Sequence, residues 1–234
     1  MIISRICAGF SLALVCTSAA FAATAAVKPE VAFKQAFPQV KVDGFEATDI
    51  SGIYQVVTGQ NVLYYAPEKD YVILGEIFTK EGKSLTAEKK GQLAAKLVQS
   101  LPLDKAVKIG EGKNVIIEFT DPDCPFCRKA AEYLMKKTDV TRYVFFAPLA
   151  HPAAITKIQY ILNAENKVKA YDAMMLGQEI PANAPPVSDK VKALAQEHLD
   201  LARKVGVQGT PTFFVNGQQV VGADTNKIEQ LLKK

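Results

Sequence analysis

No apolar stretch in this chain reaches the roughly 18–20 residues that cross a bilayer, which excludes a polytopic helical membrane protein. No basic run exceeds two residues, and 28 Lys and Arg against 24 Asp and Glu leave a formal charge of only +4. So small an excess argues against a nucleic-acid partner. Histidine is scarce, at His151 and His198 alone, and internal repeats are lacking. Cysteine is sparse as well, with four in 234 residues. What remains is ordinary globular composition, 49% hydrophobic and 22% charged, which excludes disorder and low-complexity arrays. The length suits one large domain or two small ones.

The start of the chain reads as an address. Arg5 is the only charge before Lys28, an apolar run covers Ile6 to Val15, and small residues end in Ala20-Phe21-Ala22. This is the charged start, short apolar middle and A-x-A exit of a secretory signal, so residues 1–22 are expected to be cleaved. Cys7 and Cys16 leave with it. The exported chain then keeps Cys124 and Cys127 alone, spaced C-x-x-C, and is no disulfide-stapled mini-domain. The pair is structural, metal-binding or catalytic.

Residues 23–83 read as a small α+β unit. Pro29-Glu30 opens a short helix with Val31, Phe33, Ala36 and Phe37 as its apolar positions. Three strands follow as an antiparallel meander, Ile53–Thr58, Val62–Tyr65 and Tyr71–Phe78, with Gly75 marking a bulge or close approach in the third. About 60 residues make a marginal core with an open sheet edge, so self-association is expected. Residues 84–104 read as a linker helix with Leu93, Leu97 and Leu101 at four-residue spacing, closed by Pro102, although a helix packed onto one of the two domains reads the same way. From residue 105 to 234 strand and helix patterns alternate. Ala106–Ile109 and the near-continuous apolar run Val115–Thr120 read as strands, Cys124–Lys137 as a helix, and Arg142–Phe146 as another strand. About 152–205 is helical in pattern and ends at Gly206. Pro211–Val215 and Gln218–Val221 flank the hairpin pair Asn216-Gly217, and a last helix covers Thr225–Lys233.

A C-x-x-C between a core strand and the next helix is the thioredoxin arrangement. The run Phe119-Thr-Asp-Pro-Asp-Cys-Pro-Phe-Cys127, with Gly206-Val-Gln-Gly-Thr-Pro211 some 80 residues later, resembles the DsbC/DsbG family of periplasmic disulfide isomerases. The resemblance covers the whole exported chain. It implies a small α+β dimerisation domain, a linker helix and a thioredoxin-like domain with a helical insertion, in an α+β fold class.

Cys124 suits the N-cap of its helix and Pro125 the first helical position. The positive helix end then lies on the Cys124 sulfur and favours its thiolate, while Cys127 falls one turn behind. Cys124 is therefore the expected attacking thiol and Cys127 the resolving one; Asp121 and Asp123 oppose the thiolate. The resemblance makes Pro125 and Phe126 the tuning positions. It also implies a cis Thr210-Pro211 bond against the dithiol, with the Thr210 backbone free to pair with an extended substrate.

The competing readings are weaker. A two-residue loop gains little from a disulfide. Zinc lacks ligands, because 23 residues separate Cys127 from His151 and 46 separate His151 from His198, far from finger spacing. No metal is expected. His198 shares an apolar stripe with Leu194 and Leu201 and reads as a packed, hydrogen-bonded histidine. His151 reads as a solvent-facing loop residue, with a role near the dithiol as the alternative. Met174-Met175 reads as core, and Lys89-Lys90 as a solvated face.

The expected activity is periplasmic thiol:disulfide exchange, foremost isomerisation of wrong disulfides in exported proteins, with no cofactor beyond the Cys124–Cys127 pair. The resemblance implies a DsbD-like membrane reductase as partner, and the small, open-edged unit 23–83 is expected to make a homodimer, with Gly75 in the pairing surface. A dedicated reductase of sulfenic acids or of thiols awaiting haem is one alternative. A dimeric chaperone with a dispensable dithiol is the other.

Overall fold

The computed structural model describes residues 27–233, so the expected signal segment, residues 1–22, lies outside the described residues. The chain runs α1 (Pro29–Ala36), β1 (Gly44–Ala47), β2 (Tyr54–Thr58), β3 (Asn61–Ala66), β4 (Tyr71–Ile73) and α2 (Leu85–Val98). It continues with β5 (Val107–Ile109), β6 (Asn114–Thr120), α3 (Pro125–Leu134), β7 (Val140–Phe146), α4 (Ile155–Asn163), α5 (Lys167–Met175) and α6 (Asp189–Val205). β8 (Thr212–Val215), β9 (Gln218–Val221) and α7 (Thr225–Leu232) close it.

The first sheet is an antiparallel meander, β1-β2-β3-β4. Phe33 of α1 packs on Val56, Leu63 and Tyr65, its ring edge-on to Tyr65 at 5.1 Å. β1 is an addition to the expected strands. Its four residues Gly-Phe-Glu-Ala carry too little alternation to read as a strand, yet Phe45 stacks on Tyr54 at 5.4 Å and ties the edge down. The last strand is a correction in the other direction. It stops at Ile73 instead of running to Phe78, and Phe78 makes only an isolated bridge to Ser84. A side chain at Gly75 would meet nothing within 4 Å, so within the chain there is no close approach.

α2 begins at Ser84, whose hydroxyl accepts the Ala87 N–H at 3.0 Å as a helix cap. It is no bare linker. Tyr64 of β3 bonds the buried Thr86 hydroxyl, while Ala94 and Val98 enter the core of the second sheet. Lys89, expected to be solvated, is mostly covered and pairs with Glu46 of β1 at 2.7 Å.

The second sheet is ordered β5-β7-β6-β8-β9, with β6 parallel to β7 and the other neighbours antiparallel. Side chains alternate across it. Ile117, Phe119, Phe145 and Phe214 meet α2 and α6 on one face. Ile116, Val140, Phe213 and Val215 meet α3 and α7 on the other, where Val144 and Phe146 continue into a core with α4 and α5. The region 152–205 is less helical than its pattern suggests, because 176–188 is irregular. Met174 and Met175 are buried as expected. α6 ends at Gly206 in the left-handed conformation, φ 86°.

Candidate active site

The strand order brings the motifs together. β6 and β7 are parallel with Thr120 opposite Phe146, and the Ala147 N–H continues the ladder to the Thr120 carbonyl at 2.8 Å. Both strands therefore end at the same edge of the sheet. β8 runs antiparallel to β6 with Thr212 opposite Phe119, so Thr210-Pro211 enters at that edge as well. In an open sheet this carboxyl end of the parallel strands is where ligands bind.

Cys124 is the N-cap of α3, with Pro125 at the first helical position. Its N–H donates to the Asp121 carbonyl at 3.1 Å, and its carbonyl accepts the Arg128 N–H at 3.1 Å. Its thiol donates to the Thr210 carbonyl at 3.4 Å, joining two motifs 86 residues apart. The Thr210-Pro211 bond is cis. Both cysteines are free thiols. Cys127 is fully enclosed, and burial pushes its thiol far above the ordinary cysteine range, against the pull of Thr120 and Thr210. Cys124 is 5% exposed, and Phe126 beside it stands out at 66%. An exposed apolar ring thus stands beside a largely covered attacking-position sulfur.

Three acid–base groupings lie on the elements that carry it; the sequence pattern singles out Asp121 and Asp123, but not the bases that pair with them. Asp121 is wholly buried and lies 2.8 Å from His151 Nδ1, which corrects the reading of His151 as a plain loop residue. Asp123 pairs with Lys157 of α4 at 2.6 Å and Arg128 of α3 at 3.4 Å, and the Arg128 Nε also donates to the Pro122 carbonyl at 2.7 Å. Deeper, Glu118 of β6 accepts from Arg142 at 2.7 Å and from the Tyr171 hydroxyl of α5 at 3.0 Å, all three buried. The one available signal was a carboxylate inside an apolar strand. Among the described residues no cluster of three or more His, Cys, Asp or Glu could hold a metal.

The disulfide bond isomerase protein N-terminal domain matches residues 18–87, and the thioredoxin-like domain matches 101–234. The "Probable thiol:disulfide interchange protein DsbC" of Bordetella pertussis is 31% identical over 201 residues, 82% of this chain and 70% of that protein. The chain belongs to the DsbC family. Its Escherichia coli relative, thiol:disulfide interchange protein DsbC, is 27% identical over 78% of this chain and 77% of the relative. A disulfide interchange protein from Neisseria gonorrhoeae superposes with a TM-score of 0.50 at 32% identity, covering 57% of this chain and 96% of that one. As a DsbC-family protein the chain is a thioredoxin-fold thiol:disulfide oxidoreductase, and its family contains disulfide isomerases.

Proposed function

We propose that this protein is a periplasmic, homodimeric disulfide isomerase in which Cys124 attacks and Cys127 resolves. The carrying observation is the Cys124 sulfur at the start of α3, against the Thr210 carbonyl, with Cys127 enclosed behind it. The Cys124 thiolate attacks one sulfur of a client disulfide. That S–S bond breaks, the other client sulfur leaves as a thiolate, and a mixed disulfide forms. If a second client thiolate attacks the client sulfur, Cys124 leaves as thiolate and the client is reshuffled with no net redox change. If Cys127 attacks Cys124 instead, the client leaves reduced and the enzyme holds a Cys124–Cys127 disulfide. A DsbD-like membrane reductase then returns two electrons.

Pro125 and Phe126 tune the dithiol, and Thr210 and Pro211 line the client groove. Proline at 211 offers no N–H there. The chemistry needs no group beyond the two thiols, and the clients are exported proteins with incorrect disulfides. A scrambled multi-disulfide ribonuclease tests the reading. The reduced protein should restore ribonuclease activity, and Cys124→Ser should abolish the gain. Retention of reshuffling in Cys124→Ser would refute the assignment.

A further inference from the structure

The turn that carries the attacking thiol also carries two carboxylates, Asp121 and Asp123. Negative charge beside a sulfur disfavours its thiolate, and a carboxylate buried without a partner is costly. Each acid has a basic partner from the same short segment after β7. Lys157 Nζ reaches Asp123 at 2.6 Å with both side chains three-quarters covered, and Arg128 of α3 adds a weaker contact at 3.4 Å. His151 Nδ1 reaches Asp121 Oδ2 at 2.8 Å.

The Asp121–His151 pair is the more consequential. Asp121 is 0% exposed, its other carboxylate oxygen accepts the Asp123 N–H at 2.9 Å, and its backbone carbonyl accepts the Cys124 N–H at 3.1 Å. With Asp121 as a carboxylate, which only accepts, Nδ1 of His151 is the donor in this contact. The ring is 39% exposed, and its Nε2 makes no hydrogen bond among the described residues. A proton taken up there from solvent makes the ring cationic and leaves the Asp121–His151 pair neutral.

The geometry points to His151 as an electrostatic positioning residue for Cys124: by carrying a positive charge against the buried Asp121 carboxylate, it permits a thiolate on the same turn. The other charged groups on this turn are Asp123 and its two partners Arg128 and Lys157, which together leave one surplus positive charge. This rests on the reading of Cys124 as the attacking thiol.

The test is the rate of Cys124 carbamidomethylation in the full reduced chain, followed by mass spectrometry from about pH 4 to pH 9. His151→Gln keeps a hydrogen-bond donor for Asp121 and removes the charge. Its labelling profile should move to higher pH, making Cys124 about three- to tenfold slower on the rising limb. Asp121→Asn combined with His151→Gln removes both charges and should return the rate to within about twofold of the parent. Parent-like labelling in His151→Gln, or a double variant as slow as the single, would overturn the proposal. A circular-dichroism melt keeps instability apart from reactivity: a purely structural role lowers the midpoint and leaves the pH profile in place, which also counts against it. Labelling of Cys127 before Cys124 in the parent would instead overturn the assignment of the attacking thiol, and the proposal with it.

Discussion

His198 of α6 takes the Phe146 N–H on Nδ1 at 3.2 Å and gives its Nε2 hydrogen to the Lys105 carbonyl at 3.0 Å. The ring is fully buried, stacked on Phe146 and edge-on to Phe145. Burial drives its pKa down to about 4, although the Lys105 carbonyl pulls the other way. A depressed histidine contributes stability above its unfolded value of about 6.5 and loses it as pH falls through 4. The shift corresponds to roughly 3 kcal/mol at most. The melting midpoint should therefore fall between about pH 6.5 and pH 4, more steeply in the parent than in His198→Leu. That variant should also lose about 1–3 kcal/mol at neutral pH, because it strands the Phe146 N–H and the Lys105 carbonyl. Parallel melting curves against pH would show that His198 does not set the acid limit.

The Glu118–Arg142–Tyr171 triad predicts an unequal response to substitution. Burial works against the Arg142 charge, but Glu118 and Tyr171 more than reverse it, and burial raises the Tyr171 hydroxyl well above its usual range. Arg142→Met strands a buried carboxylate and should cost roughly 3–5 kcal/mol in urea unfolding. Tyr171→Phe removes one hydroxyl and should cost about 1–3 kcal/mol. Adding Glu118→Gln to Arg142→Met should recover part of the loss. Equal costs for the two single variants would mean that Glu118 reaches water or another partner.

Much of the catalytic half was legible because its signals are local. C-x-x-C with proline between marks a strand-to-helix turn, and Asn216-Gly217 turns the last hairpin with both residues at positive φ, 47° and 83°. The irregular 176–188 stretch escaped because Pro181, Pro185 and Pro186 interrupt a helix-like composition. Lys157 escaped, and His151 carries a role near the dithiol only as its alternative reading, for a different reason. They meet Asp121 and Asp123 only because β6 and β7 are parallel and end together, and that pairing spans 30 and 34 residues of sequence. Glu118 is a charge inside an apolar strand, but nothing local points to Arg142 or to Tyr171 on a helix 53 residues away.

Thr120 offers a test of the resolving role proposed for Cys127. Its buried hydroxyl has no well-aligned partner among the described residues, yet it lies close enough to Cys127 to pull that thiol downward against burial. In the thiolate form Cys127 becomes the acceptor that this hydroxyl lacks. Thr120→Val keeps the shape and removes the donor. Cys127 should then be harder to ionise, and mixed disulfides on Cys124 should persist about three- to tenfold longer before Cys127 releases them. Quenching with acid and counting the trapped adducts by mass measures this directly. Release at the parent rate would show that the hydroxyl does not assist the resolving thiol.

The first sheet leaves apolar side chains in water along its last edge: Tyr71, Ile73, Leu74 and Phe78 are exposed, Leu74 by 81%. β4 pairs with β3 on one side alone, so its other side is an open ladder. A second copy meeting this edge across a twofold axis would cover the apolar row and satisfy the unpaired groups, each protomer supplying the same strand. Gly75 sits beside that row with free space around its α-carbon, so Gly75→Arg fits the isolated protomer and obstructs only a partner. Sedimentation should therefore find the parent dimeric and Gly75→Arg monomeric, with unchanged circular dichroism. Cys124 lies in the turn after β6, the central strand of the other sheet, so the monomer should still reduce simple disulfides while losing most of its reshuffling of scrambled ribonuclease. A dimeric Gly75→Arg would move the interface elsewhere. A monomeric parent would remove the dimer from the mechanism and favour a dedicated reductase.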